Sequence, residues 1–236
     1  MSSVVMRRLA AEGLGTAVLV ATVVGSGIMA TNLTSDVGVQ LLINALSTVA
    51  ALAVLIATLG PVSGAHFNPA VTLVAAVRRE IAAAEAGGYV VVQVLGALIG
   101  VAVADLMFDL PAWQASTHDR TGGGIWLGEV VATAGLLFVI GALTRTHRGH
   151  LGPVLVPAWI GAAYFFTSST SFANPAVTIG RAFTDTFAGI APADVPAFIG
   201  FQLLGAAIGA VQTELIYPRR GVPEPLDLPE AVHESH

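Results

Sequence analysis

Two tripeptides carry the residues whose type and spacing could do chemistry: Asn68-Pro69-Ala70 and Asn174-Pro175-Ala176. Asparagine is a favoured N-cap, and proline is pre-organised for the first helical turn. Each triplet therefore reads as the start of a helix. The amphipathic run that follows is about ten residues long, roughly half of what a bilayer crossing needs. Two half-helices entering from opposite sides would meet start to start at the bilayer centre. Their free N–H groups and positive dipole ends would then face a shared cavity, the one place where irregular backbone is tolerated at that depth. A turn between spans that happens to contain Asn-Pro is the competing reading of a single triplet; two at matching places argue against it.

The remaining chemistry is sparse. Glu12 and Glu129 fall inside apolar segments, where an acid is costly unless paired; an acid snorkelling from a span end is the alternative. The chain has no cysteine, which excludes disulfides, zinc fingers, thiol redox chemistry and thiolate nucleophiles. No nucleophile–base pair and no metal-ligand cluster stands out, so neither an enzyme nor a cofactor is expected. His147 and His150 sit in an arginine-rich turn and read as solvated. Nucleic-acid binding gets no support: the net charge is −5 and all ten basic residues are arginine.

The elements that must position these residues follow from composition. Of 236 residues, 55% are hydrophobic and 11% charged, with mean hydropathy +0.78. Soluble domains carry about 25% charged residues, so this is an all-α membrane chain. Hydropathy gives six spans, over about 9–30, 39–60, 86–106, 125–144, 151–170 and 195–217. The first follows Arg7 and Arg8 like a signal peptide, but it is too long for one and carries Glu12, so it reads as retained. The halves repeat, about 8–110 and 125–217: Glu12 recurs as Glu129, the Asn68 run as the Asn174 run, and Gln93-Val-Leu-Gly-Ala as Gln202-Leu-Leu-Gly-Ala. Three spans per half insert in opposite orientation, an inverted repeat with its site near the midplane. The repeated pairs Gly96/Gly100 and Gly205/Gly209 suit close helix crossing. With both termini cytoplasmic, Arg7, Arg8, Arg78, Arg79, Arg145, Arg148, Arg219 and Arg220 lie inside, against Arg120 and Arg181 outside, as the positive-inside rule asks. Residues 1–217 form a single channel-like domain, and 218–236 read as a solvated cytoplasmic tail. Asp105 and Glu214, near span ends, read as interfacial.

The paired triplets, the run Ser63-Gly-Ala-His66-Phe-Asn68-Pro-Ala-Val-Thr and a glutamate in spans 1 and 4 resemble the major intrinsic proteins, the aquaporins and aquaglyceroporins. That resemblance covers residues 8 to 217. It implies six tilted helices plus two re-entrant half-helices around one pore per subunit, in a homotetramer. It also implies that Asn68 and Asn174 donate side-chain N–H bonds to a permeating neutral solute, while the positive helix ends oppose cations. Glu12 and Glu129 would fix the half-helices through loop backbone, and His66 would pack the loop by a hydrogen bond rather than act as a pH gate.

One departure from the family pattern bears on selectivity. Most members place an arginine directly after the second triplet; here that residue is Val177. Spacing carries the other filter positions to Thr48, Ala162 and Ser171, with Gly161 or Phe172 as one-residue slips. This filter reads as wider and less cationic than a water-selective one. Arg181, one turn past Val177 and about 6 Å further out, either returns charge to the outer vestibule or reaches the headgroups or Asp185; the second reading is preferred. The run Asn174-Pro-Ala-Val-Thr-Ile-Gly-Arg181 resembles a bacterial subgroup linked to arsenic resistance and thought to conduct trivalent or methylated arsenicals. The sequence therefore points to a passive plasma-membrane channel for water, glycerol-like polyols and arsenous acid. A water-selective channel, a coupled transporter and a non-conducting scaffold are the alternatives.

Overall fold

The computed structural model describes residues 2–218. Arg219, Arg220 and the rest of the expected tail lie outside the described residues. Helices α1 (Ser3–Leu33), α2 (Val37–Ser63), α4 (Ala83–Met107), α5 (Gly123–Arg145), α6 (Gly152–Phe166) and α8 (Val195–Ile216) are the long elements; α6 and α8 are extended at their starts by short 3-10 turns. All six are long and apolar enough to cross a membrane. Between them lie α3 (Pro69–Val77), of nine residues, and α7 (Pro175–Arg181), of seven.

Local chemistry sets the ends. Ser2 caps α1 by accepting from the Val5 amide, so the helix starts six residues before the apolar run that marks it in sequence. Asp36 caps α2 by accepting from the Val39 amide, and Gly64, at φ 90°, closes it in the left-handed conformation that glycine adopts freely. α6 ends at Phe166, four residues short of its hydropathic segment. Thr167 is extended there, and Thr170 and Ser171 follow at positive φ, so the polar Ser/Thr run turns back into the molecule instead of continuing the span.

Packing repeats the sequence repeat. α1 lies against α4 and α2, and α5 against α8 and α6. The halves meet through α2 against α6, α4 against α7, and α3 against α8. Two glycines show how tight the pairings are: a Cβ on Gly100 would sit 2.3 Å from the Ala17 carbonyl oxygen, and one on Gly209 would sit 2.2 Å from that of Ala134. Small residues at these positions let the helix backbones approach.

Candidate functional site

The site is built from the two loops that precede the half-helices. In each, the residue before the asparagine is held at φ 48°, Phe67 in one loop and Ala173 in the other. Such a left-handed non-glycine residue persists only when its surroundings hold it. Here a buried carboxylate does so. Glu12, fully buried, accepts from the His66 amide (2.9 Å) and Ser63 Oγ (2.7 Å) on one oxygen, and from the Phe67 amide (2.7 Å) and Gln93 Nε2 (2.8 Å) on the other. Glu129, equally buried, accepts from the Phe172 and Ala173 amides (2.9 Å each) and from Gln202 Nε2 (2.6 Å). Neither acid snorkels.

Gln93 and Gln202 take the matching role one layer out. Each also donates to a half-helix threonine, Thr72 at 3.0 Å and Thr178 at 2.8 Å. Those threonines donate in turn to the Asn68 and Asn174 carbonyls. The carboxylate, glutamine and threonine thus tie each loop to its helix start. The glutamines were visible in the sequence as part of the repeat, but nothing there assigned them this part. His66 Nδ1 lies 3.1 Å from Thr72 Oγ1, a packing contact within the same layer.

At the centre the two half-helices meet. Asn68 Oδ1 accepts from the Ala70 amide, and Asn174 Oδ1 from the amides of Ala176 and Val177. Each amide nitrogen reaches across the junction: Asn68 Nδ2 donates to the Ala173 carbonyl (2.7 Å) and Asn174 Nδ2 to that of Phe67 (2.8 Å). Each NH₂ carries two N–H groups, so one remains for the cavity beside it.

That cavity holds about 630 Å³. It runs from Arg78 and His150, on the face where α1 starts and α8 ends, past Asn68 and Asn174, to Tyr164, Ser171, Phe172, Val177 and Arg181 on the far side. Its wall is mostly aliphatic and repeats at helical spacing, as in Thr48, Leu52 and Ile56 of α2 and Val156, Ile160 and Tyr164 of α6.

Of the filter positions read from spacing, Thr48, Ser171 and Val177 line this cavity, as does the slip candidate Phe172. Ala162 does not: it is exposed on the outer side of α6, and Gly161 also lies off the wall. Spacing alone selected the wrong face of the helix, since successive residues turn by about 100°. Tyr164 occupies the wall instead, its hydroxyl 3.2 Å from Thr48 Oγ1. The small side chain expected there is replaced by an aromatic ring. The i, i+4 alignment with Val156 and Ile160 was the available signal.

Arg181 also differs from the preferred expectation. It neither reaches the headgroups nor pairs with Asp185. It is 3% exposed, its Nε donates to the Ala188 carbonyl, and its guanidinium carbon lies 3.4 Å from the centroid of the Phe172 ring. Arg120 approaches the same ring at 5.2 Å, with Nε donating to the Gly189 carbonyl at 2.7 Å; burial lowers its pKa from the ordinary arginine value. Asp185 accepts from the Thr117 amide (2.8 Å) and hydroxyl (2.9 Å), which hold its pKa below the usual carboxylate range. Asp105, near the end of α4, is buried against the protein and accepts from Thr184 Oγ1 at 2.9 Å. Glu214 is half-exposed and bridges Arg78 (3.5 Å) and Arg145, joining the ends of α3, α5 and α8.

Comparison with known proteins agrees with this architecture. The family model described as Major intrinsic protein matches residues 1–172. The Aquaglyceroporin AqpS of Rhizobium meliloti (strain 1021) is 51% identical over 217 residues, covering 92% of this chain and 93% of that protein. A probable aquaporin of Oryza sativa subsp. japonica, PIP2-7, is 33% identical over 201 residues, covering 75% and 67%. Among solved structures, the aquaglyceroporin from Plasmodium falciparum superimposes with a TM-score of 0.62 at 20% identity, covering 90% of this chain and 95% of that one. That last likeness speaks for the fold.

Proposed function

The chain belongs to the major intrinsic protein family and is a passive channel for small solutes, and on that premise we propose that it conducts uncharged, oxygen-bearing solutes of glycerol size together with water. The observation that carries this reading is the cavity passing between two opposed helix starts, where the polar groups are the neutral amides of Asn68 and Asn174. A neutral solute exchanges hydrogen bonds there, while two positive helix ends oppose a cation. Toward the far side, Val177, Phe172 and the Tyr164 ring offer an apolar wall, and Thr48 and Ser171 offer hydroxyls. A polyol presents a carbon face and a hydroxyl face, and so matches both. Arsenous acid, an uncharged trihydroxy solute, has the same polarity, and methylated arsenicals fall within the same size class. Tyr164 and Arg181 also line this end of the cavity.

Both termini cytoplasmic in a bacterial plasma membrane, with four subunits per assembly, complete the proposal. A coupled transporter would need a titratable pair on the path near the midplane; Glu12 and Glu129 sit behind the loops with their oxygens taken by donors and off the cavity wall. Of the titratable groups on the wall, Arg78, Glu80 and His150 lie toward one end, Arg181 toward the other, and His66 contacts Thr72.

Stopped-flow light scattering on proteoliposomes, comparing water, glycerol and arsenous acid, tests the reading. Fast entry of glycerol and arsenous acid, independent of a proton gradient, is the expected result. Water entry alone would make this a water-selective channel. Uptake that follows the proton gradient would establish coupled transport.

A further inference from the structure

Arg181 is a cavity-wall residue that neutral-solute conduction leaves unused. Its Nε is taken by the Ala188 carbonyl, and a guanidinium carries five N–H donors. The four on its two amino groups have no protein acceptor among the described residues, and no carboxylate lies within ion-pair reach of it. Phe172 covers one face of the guanidinium, so a ligand meets it edge-on, in the plane of its free N–H groups. Ser171 Oγ lies on the same wall, buried and without a partner.

The neighbouring guanidinium of Arg120 likewise makes no ion pair among the described residues. Arg120 stands on the same ring and is held by the carbonyls of Phe187 and Gly189. The nearby acids make their hydrogen bonds to other groups than the two guanidiniums: Asp185 accepts from Thr117, Asp105 from Thr184, and Asp194 from the Arg120 backbone amide at 2.7 Å. Glu129, which faces the pair from behind Phe172, already accepts from two backbone amides and Gln202. A buried and a part-buried guanidinium thus share one aromatic ring, and among the described residues no carboxylate contacts either guanidinium group.

We propose that Arg181, backed by the charge of Arg120, forms a binding site for a small monovalent oxyanion at the far end of the cavity. A planar oxyanion meets two parallel N–H donors in the bidentate geometry guanidinium favours, with the Ser171 hydroxyl on the same wall. The positive field draws anions toward this mouth and repels cations. The proposal rests on the reading of the cavity as the conduction path, since an anion held there stands in the way of a neutral solute.

Sodium nitrate is the probe, exchanged against sodium gluconate at constant ionic strength and present on both sides of the membrane. Nitrate slows glycerol entry into wild-type proteoliposomes in a saturable way. In Arg181→Gln, the ratio of glycerol entry with and without nitrate becomes one, whatever flux the variant retains. Arg120→Gln moves half-inhibition to higher nitrate. In detergent, nitrate raises the melting temperature of the wild type relative to Arg181→Gln, a readout independent of flux. A wild type indifferent to nitrate in both assays, or an equal response in Arg181→Gln, overturns the site. Absence of glycerol entry in the wild type overturns the channel reading alone, because the melting comparison still reports on anion binding.

Discussion

Removing the Glu12 carboxylate is the most informative perturbation of the structure. Its two oxygens accept four hydrogen bonds, two of them from the backbone amides of His66 and Phe67. Glu12→Gln replaces one oxygen with a donor. Placed toward Phe67, the new NH₂ also faces Gln93, whose free Oε1 can rotate in to accept. Placed toward His66, it faces Ser63, whose hydroxyl can likewise turn to accept. Either way, one buried backbone amide loses its acceptor, a loss of about 1–3 kcal/mol. Glu12→Ala strands both backbone amides and the Gln93 donor, so the two amides alone cost roughly 2–6 kcal/mol. At roughly 2–4 °C per kcal/mol for a chain of this size, Glu12→Gln should melt clearly below the wild type, and Glu12→Ala further still. Phe67, at φ 48°, is then free to relax, and the start of α3 moves out of register with α7. Thermal unfolding in detergent and glycerol entry into proteoliposomes are the two assays. Glu12→Ala melting with the wild type and conducting normally would refute the reasoning. The same pair of changes at Glu129 should give losses of the same order, because it too holds two loop amides.

Other perturbations probe separate parts of the structure. Val177→Arg places a long cation one turn from Arg181 on the cavity wall; glycerol entry should be lost while water entry persists, and unchanged uptake of every solute would remove Val177 from the constriction. Gly209→Ala forces a Cβ to 2.2 Å from the Ala134 carbonyl oxygen and should cost about 1–3 kcal/mol of stability. Gly200→Ala, with nothing within 4 Å of its added Cβ, should be neutral or stabilising by about 0.5–1 kcal/mol; equal melting of the two variants would contradict the close crossing of α5 and α8. Asp185 has a lowered pKa through its bonds from Thr117, so its contribution is present above the ordinary aspartate range and is lost as pH falls through its folded value. Hydrogen exchange at the Thr117 amide should lose protection across that acidic window, and Asp185→Asn should abolish the dependence.

Much of this protein is legible in one sequence because the bilayer permits few solutions. Apolar runs of spanning length must be helices, and an odd number of spans per repeat fixes the inversion. Asparagine followed by proline suits a helix start, and its recurrence at matching places in the repeat set a turn aside, so the two half-helices could be read before any packing was known. The paired glycines likewise announced close crossings, because only small side chains permit them. Rotation about a helix axis, by contrast, leaves only a faint mark in an all-apolar segment, here the i, i+4 alignment of Val156, Ile160 and Tyr164. That is why Ala162 and Tyr164, two residues apart on α6, exchange places between the outer surface and the cavity wall. The partners of a buried charge are undetermined for a related reason: they come from other elements, and only the fold brings them near. Sequence spacing placed Arg181 on the same face of α7 as Val177 and favoured the headgroups or Asp185 over the outer vestibule. The Ala188 carbonyl and the Phe172 ring, contributed by two far-side loops, decided it. The sequence thus determined which elements exist and where they start, through local backbone chemistry and the demands of the bilayer. Only the tertiary structure decided which face of each element meets the solute, because that depends on contacts between residues far apart in the chain.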